Sequence, residues 1–157
     1  MAATSSTLDQ LAVHEGGLWV ANHDDGTLRR IDPATGNVEA TIDLGVEPHG
    51  MAIGAGAVWI ADGHHNAVRR IDPGTGRIVA RIDAGFETGM VAASDAGVWV
   101  AAAGGADLTR NGLARIDPAA NRATVVEVEG QVTEITADGS GVWVGIREPD
   151  AAFHLAA

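Results

Sequence analysis

The sequence predicts an all-β fold built from repeated antiparallel sheets, and three observations support that prediction. Four tryptophans recur at spacings of 40, 40 and 44 residues, at Trp19, Trp59, Trp99 and Trp143. The tripeptide Ile-Asp-Pro recurs with a similar period, at residues 31–33, 71–73 and 116–118. Between these markers lie short runs rich in Val, Ile and Trp, separated by Gly, Pro and Asn. A repeat of about 40 residues that holds four short strands is typical of one blade of a β-propeller.

The second copy of the repeat is the most complete and sets the pattern for the others. Its strands are predicted at residues 49–54, 57–62, 67–72 and 77–83, and Gly and Pro recur too often for a helix. The third copy carries a longer loop at 103–111, and the last has room for three strands only. We therefore predict one domain over 1–157, with blades at about 8–43, 49–83, 89–128 and 133–157.

The residues that recur in every copy have structural explanations. Trp on the second strand is predicted to fill the space between neighbouring blades, with its indole N–H bonded to a carbonyl. The Asp-Pro-x-Thr-Gly sequence is a turn, because Asp accepts backbone N–H bonds, Pro presets φ and Gly tolerates a positive φ. We expect the recurring arginines to pair with acids of the neighbouring blade. These arginines are Arg30, Arg70 and Arg115.

A chain of about four blades poses the problem of ring closure. Propellers close with roughly four to eight blades, and an open arc would expose the apolar faces of its first and last blades. We favour a homodimer, in which two chains complete one ring of about eight blades. The alternatives are a distorted four-bladed ring made by one chain, and a piece of a longer protein.

Composition excludes some partners and leaves the compartment open. The formal charge is −11, so a nucleic acid would be repelled, although a cation would not. No apolar run approaches the length that crosses a bilayer, and the opening residues lack the basic and apolar pattern of a secretion leader. We expect a soluble chain with no membrane partner. Cysteine is absent, which excludes disulfides and thiolate metal sites.

Functional residues are predicted on one rim of the propeller. In a blade, the loops that follow the second and fourth strands share a rim, and their residues differ from copy to copy. The contrast with the recurring scaffold is the main functional signal, since binding residues concentrate in loops held by a rigid scaffold. We expect this rim to meet a small ligand, a metal ion or a protein. The rim residues are His23, Asp24, Glu47, His49, Asp62, His64, His65, Glu87 and Arg147.

Part of this rim has the composition of a metal site. The adjacent His64 and His65, with His23 and Asp24 on the matching loop one blade earlier, are residue types that bind Zn²⁺ or another divalent ion. The alternative is that these residues are solvated turn residues, because His, Asp and Asn are common in turns.

The repeat Gly-x-x-Trp-Val-Ala-Asn…Gly-Thr-Leu-x-Arg-Ile-Asp-Pro-x-Thr-Gly resembles the YncE-like (YVTN-type) propellers and the streptogramin (virginiamycin B) lyase family. The resemblance runs from residue 8 to residue 146 and implies a propeller, in families that are often extracytoplasmic. By analogy with the lyases, Glu47 and Asp62 would bind Mg²⁺ and His49 would act as the general base or acid. The reaction would be the opening of a cyclic ester.

Three hypotheses of function follow from these observations. The favoured one is a binding or scaffold module that presents the polar, acidic rim and assembles with itself. The second is a Mg²⁺-dependent C–O lyase that uses Glu47, His49 and Asp62. The third is a propeller fragment, natural or engineered, with no activity beyond ring assembly.

Overall fold

The computed structural model describes residues 10–102, 112–147 and 150–156, and it consists of antiparallel sheets. The first sheet contains β1 (Gln10–His14), β2 (Gly17–Asn22), β3 (Thr27–Ile31) and β4 (Val38–Asp43). The second contains β5 (Pro48–Gly54), β6 (Ala57–Asp62), β7 (Ala67–Ile71) and β8 (Ile78–Asp83). The third contains β9 (Thr88–Ser94), β10 (Gly97–Ala102), β11 (Leu113–Asp117) and β12 (Arg122–Val126).

The fourth sheet is shorter and contains β13 (Gln131–Ala137), β14 (Gly141–Arg147) and β15 (Ala151–Ala156). The prediction of an all-β chain with an incomplete last blade is therefore confirmed, and the strand bounds of the second sheet differ from the predicted ones by one residue at most. A 3₁₀ turn at Gly63–His65 is the single helical segment of the described ranges, which contain no helix able to cross a membrane. The predicted long loop at 103–111 lies outside the described residues.

The sheets pack face to face in chain order through their first strands. Strand β5 lies between β1 and β9, and β9 in turn contacts β13. Small residues allow this approach: a Cβ added to Gly50 would lie 2.5 Å from the carbonyl oxygen of Gly89 on the next sheet. The first strands therefore form the crowded centre that a propeller needs, and β4, β8 and β12 lie at the periphery.

The core lies between neighbouring sheets, and the tryptophans fill it. Each of the first three tryptophans is at most 3% exposed and packs against valines and isoleucines of the following sheet. Trp19 meets Val58 and Ile60, and Trp59 meets Val98 and Val100. Burial of such large side chains is the main source of stability for the stacked sheets.

The partners of the recurring tryptophans and arginines agree with the sequence prediction only in part. The Nε1 of Trp59 donates to the carbonyl oxygen of Gly54 at 3.0 Å, as predicted. Arg70 lies over the ring of Trp59, 5.4 Å from its centroid, and donates to the Pro118 carbonyl of the next sheet at 2.6 Å. The prediction that Arg70 pairs with an acid of the neighbouring blade is therefore wrong. It is also wrong for Arg30, which pairs with Glu39 of its own sheet at 3.2 Å.

The recurring aspartates form turns, as predicted. Asp72 Oδ1 accepts bonds from the backbone N and the hydroxyl of Thr75, at 2.7 and 2.8 Å. Asp32 contacts Ala34 and Thr35 in the same way. The hydrogen bonds from the threonine side chains are the main cause that lowers the pKa of both carboxyl groups. These aspartates stabilise hairpins and lie on the rim opposite to the predicted site.

Candidate functional site

Three histidines from two sheets meet on the predicted rim. His23 follows β2, His49 lies near the start of β5, and His64 belongs to the 3₁₀ turn that follows β6. The rings of His23 and His49 are stacked, with centroids 5.6 Å apart and planes 30° apart. The rings of His49 and His64 meet edge to face, with centroids 5.0 Å apart. Residues far apart in sequence are therefore brought together because their loops share one rim.

Glu47 adds a carboxylate to the three rings. Its Oε2 lies 3.3 Å from Nε2 of His64 and 3.9 Å from Nε2 of His23. The side chain of Glu47 is 53% exposed and that of His64 is 60% exposed, so both face solvent. We call His23, His49, His64 and Glu47 the imidazole–carboxylate cluster. It combines three imidazoles and one carboxylate, all from residues that the sequence placed on the rim.

His49 is the central ring of the imidazole–carboxylate cluster, because it contacts both of the other rings. Burial is the main cause that lowers its pKa below the ordinary value of 6.5, and the nearby His64 and His23 lower it further. Glu87 and Glu47 act in the opposite direction and raise it. The net shift keeps the ring uncharged near neutral pH, so one nitrogen is available to accept a proton or bind a metal ion.

Gly63 determines where the His49 ring lies. A Cβ added to Gly63 would lie 2.4 Å from Nδ1 of His49, so the ring packs directly on the backbone of the turn. Sequence reasoning did not find this residue. The available signal was that Gly63 is the fourth residue after Trp59, whereas His23 is the fourth residue after Trp19. In the loop after β6, a glycine without a side chain therefore stands where the His49 ring packs.

Asp62 and His65 belong to the same rim, but their side chains are engaged within the second sheet. Asp62 is 1% exposed, and its Oδ2 accepts bonds from Nε and Nη2 of Arg69 at 3.1 and 3.0 Å. Its Oδ1 lies 2.7 Å from Nδ1 of His65. Both carboxylate oxygens therefore have partners, which is a structural role for a buried charge. The proposed Mg²⁺ ligand Asp62 would have to leave these contacts to bind an ion.

An open, acidic groove lies beside the imidazole–carboxylate cluster. It has a volume of about 520 Å³ and includes four carboxylates and two imidazoles. Asp25 in this groove pairs with Arg29 at 2.8 Å, and Asp24 lies 3.6 Å from Nδ1 of His23. The polar lining residues are Asp24, Asp25, Asp43, Glu47, His64 and His65. This lining favours a positively charged ligand over an anion.

The two remaining predicted rim residues belong to the third and fourth sheets. Glu87 precedes β9 and acts on His49 through its charge. Arg147 ends β14 in the fourth sheet, whereas the imidazole–carboxylate cluster belongs to the first two sheets. Within residues 10–102, 112–147 and 150–156, no group of three or more His, Asp or Glu side chains is arranged to hold a metal ion as it stands.

Searches with the sequence and with the structure gave different results. Protein-family models and curated proteins yielded no match to the chain. Among solved structures, the computationally designed Ika4 protein is similar with a TM-score of 0.71 and 16% identity, over 98% of this chain and 93% of that one. The Kuenenia stuttgartiensis hydrazine synthase is similar with a TM-score of 0.68 and 14% identity, over 94% of this chain. The Neurospora crassa Pan2 WD40 domain has a TM-score of 0.63 and 12% identity, over 88% of this chain.

These similarities establish the fold class. WD40 domains are β-propellers, so the sheets of this chain are propeller blades. The chain spans about half the length of two of these structures, 53% of the hydrazine synthase chain and 48% of the Pan2 domain. At identities of 12–16%, the similarity describes the architecture and no particular activity.

Proposed function

We propose that this propeller is a binding module whose imidazole–carboxylate cluster takes up a divalent transition-metal ion, with Zn²⁺ as the reference ion. The observation that carries the proposal is the meeting of three imidazole rings from two loops and the start of strand β5, with centroids 5.0 and 5.6 Å apart. The shared rim explains why these segments lie near each other, and the direct contacts between the rings add a concentration of imidazole nitrogens beside a carboxylate.

The chemistry of these groups supports the proposal. Imidazole nitrogens and a carboxylate oxygen form a ligand set that suits Zn²⁺ and its neighbours in the first transition row. His49 is kept uncharged by burial, as a metal ligand must be, and the net charge of −11 attracts cations. Four-coordinate geometry requires the rings and Glu47 to rotate. Such rotation is rapid for exposed side chains such as His64 and Glu47.

Calorimetric titration of the untagged, chelator-treated chain with Zn²⁺ tests this function. We expect saturable binding of one ion per chain, weakened by more than tenfold in His49→Ala and in His64→Ala. His14→Ala is the matched control, because His14 lies on β1 with Glu15 as its ion-pair partner, outside the cluster. Absence of binding, or equal losses in all three variants, would refute the proposal.

A second candidate function rests on the position of His49 at the centre of the cluster, together with its lowered pKa. A lowered pKa favours the uncharged ring, which is the form that acts as a general base. In a Mg²⁺-dependent lyase of cyclic esters, Glu47 would hold the ion and His49 would take the proton. The ion would polarise the substrate carbonyl.

This second candidate is tested by incubating the chain and Mg²⁺ with a macrocyclic depsipeptide lactone and following ring opening by mass spectrometry. A lyase predicts a linear product of unchanged mass with a new double bond, lost in His49→Asn. A product that gains one water, or an intact ring, would exclude elimination by this protein.

A further inference from the structure

The first and last sheets each leave an apolar face uncovered. On β1, Leu11 and Val13 are 66% and 76% exposed. On β14, Trp143 is 48% exposed, although its three counterparts in the other sheets are at most 3% exposed. Each of those counterparts is covered by the sheet that follows it. Trp143 therefore presents one half of the contact that joins neighbouring sheets of this chain, and the sheet that would cover it is missing.

The exposed residues of β1 are the other half of that contact. In the second sheet, Met51 and Ile53 of β5 pack on the cluster that contains Trp19. Met51 lies opposite Ile60 in the register of the second sheet. One repeat earlier, Val20 is the counterpart of Ile60, and Leu11 lies opposite Val20. Leu11 and Val13 thus occupy the positions of Met51 and Ile53, but within the described part of the chain no preceding sheet presents a tryptophan to them.

We propose that the Trp143 face of one copy binds the Leu11–Val13 face of a second copy, and that two copies close one ring of eight sheets. The partner is a second copy because its complementary surface already exists on the same chain, in the register used at the internal junctions. A head-to-tail contact of this kind forms a closed ring when the rotation between copies closes. Eight sheets lie within the range of known propellers.

Two of the three similar structures are about twice as long as this chain, whereas the match covers 93% of the Ika4 chain. The chain spans 48% of the Pan2 WD40 domain and 53% of the hydrazine synthase chain. It therefore supplies about half of the residues found in these larger structures. A third copy would bring the ring to twelve sheets, beyond the roughly four to eight that pack around one axis.

Trp143 is held ready for this contact. Its Nε1 donates to Oδ2 of Asp138 at 3.2 Å, and the ring of His154 lies 4.8 Å from its own. His154 pairs with Trp143 in the register in the way that Arg30 pairs with Trp19. The indole is therefore oriented before the second copy arrives, which reduces the entropy lost on association.

The ring also changes the composition of the rim. Arg147 is the fourth residue after Trp143, the position that His23 holds after Trp19. His23 contacts the sheet that follows its own, through His49. By the same geometry, Arg147 would lie beside the first sheet of the partner subunit. Closure therefore places an arginine of each copy beside the first sheet of the other copy.

Light scattering coupled to size-exclusion chromatography of the whole chain tests the proposal. We expect a mass of twice 16.0 kDa for the wild type. Because each copy carries a charge of −11, the dimer is expected to strengthen as salt is added. Val13→Lys and Trp143→Glu should each halve the mass. Val79→Lys is the matched control, because Val79 is 52% exposed on the peripheral strand β8.

Mixing the two variants separates loss of contact from loss of folding. A ring made of one Val13→Lys copy and one Trp143→Glu copy has one native junction and one junction with opposite charges. The mixture is therefore expected to recover the doubled mass, which misfolded variants cannot do. A monomeric wild type, a dimer that survives both substitutions, failure of the mixture to recover the doubled mass, or dissociation of the Val79→Lys control would overturn the proposal.

Discussion

Substitution of the equivalent tryptophans Trp59 and Trp143 by alanine should cause two different losses of stability. Trp59 is 0% exposed and Trp143 is 48% exposed. Burial of a whole tryptophan removes about 150–250 Å² from water, worth about 4–6 kcal/mol at roughly 25 cal/mol per Å². Trp59→Ala should therefore lower the free energy of unfolding by about 4 kcal/mol, within the range of measured Trp→Ala substitutions. Trp143→Ala should cost about half as much in a single chain.

The measurement is urea unfolding followed by far-ultraviolet circular dichroism, with both substitutions made in the Val13→Lys background so that only single chains are compared. The midpoint shift, at an unchanged slope, gives the loss of stability. A loss of about 4 kcal/mol is a large part of the total stability of an ordinary domain, so Trp59→Ala is expected to unfold near room temperature in modest urea. Equal losses at the two positions would refute the assignment of Trp143 to an uncovered face.

Three further predictions concern the rim. Gly63→Ala should push the ring of His49 off the turn, because the new Cβ would meet Nδ1 at 2.4 Å, and the pKa of His49 measured by NMR should rise toward 6.5. Burial lowers the pKa of His49 in the folded chain, so the unfolded chain binds the proton more readily. The metal-free chain should therefore lose stability as the pH falls from 6.5 to the lowered pKa of folded His49. His49→Asn should reduce this loss, as measured by urea titrations at several pH values. Asp62→Asn leaves the charge of Arg69 without its buried partner and should cost about 3 kcal/mol, whereas Asp25→Asn at an exposed pair should cost less than about 1 kcal/mol in the same denaturation assay.

The repeat made the fold predictable from the sequence. Four tryptophans at nearly constant spacing fix the second strand of each blade, and the Asp-Pro turns fix the hairpin between the third and fourth strands. Both signals are local in the sequence, so they can be recognised before any contact between distant residues is known. The arginine partners were harder to predict because Arg70 reaches across to a backbone carbonyl, and carbonyl acceptors leave no mark in the sequence.

The site was predictable as a set of residues but not as an arrangement. The variable rim contained His23, His49 and His64, and the structure brings these three together. Sequence reasoning grouped His65 with His64 because they are adjacent, whereas the structure turns His65 toward the buried Asp62. Neighbouring residues of a tight turn point in different directions, so adjacency alone did not show which imidazole belongs to the cluster.

The most direct test of the functional account is a crystal structure of the chain grown with Zn²⁺, with anomalous data collected at the zinc absorption edge. We expect one strong anomalous peak per chain, within bonding distance of nitrogens from His23, His49 and His64 and with Glu47 as the oxygen ligand. A peak located elsewhere, or no peak with the three rings unchanged, would contradict it.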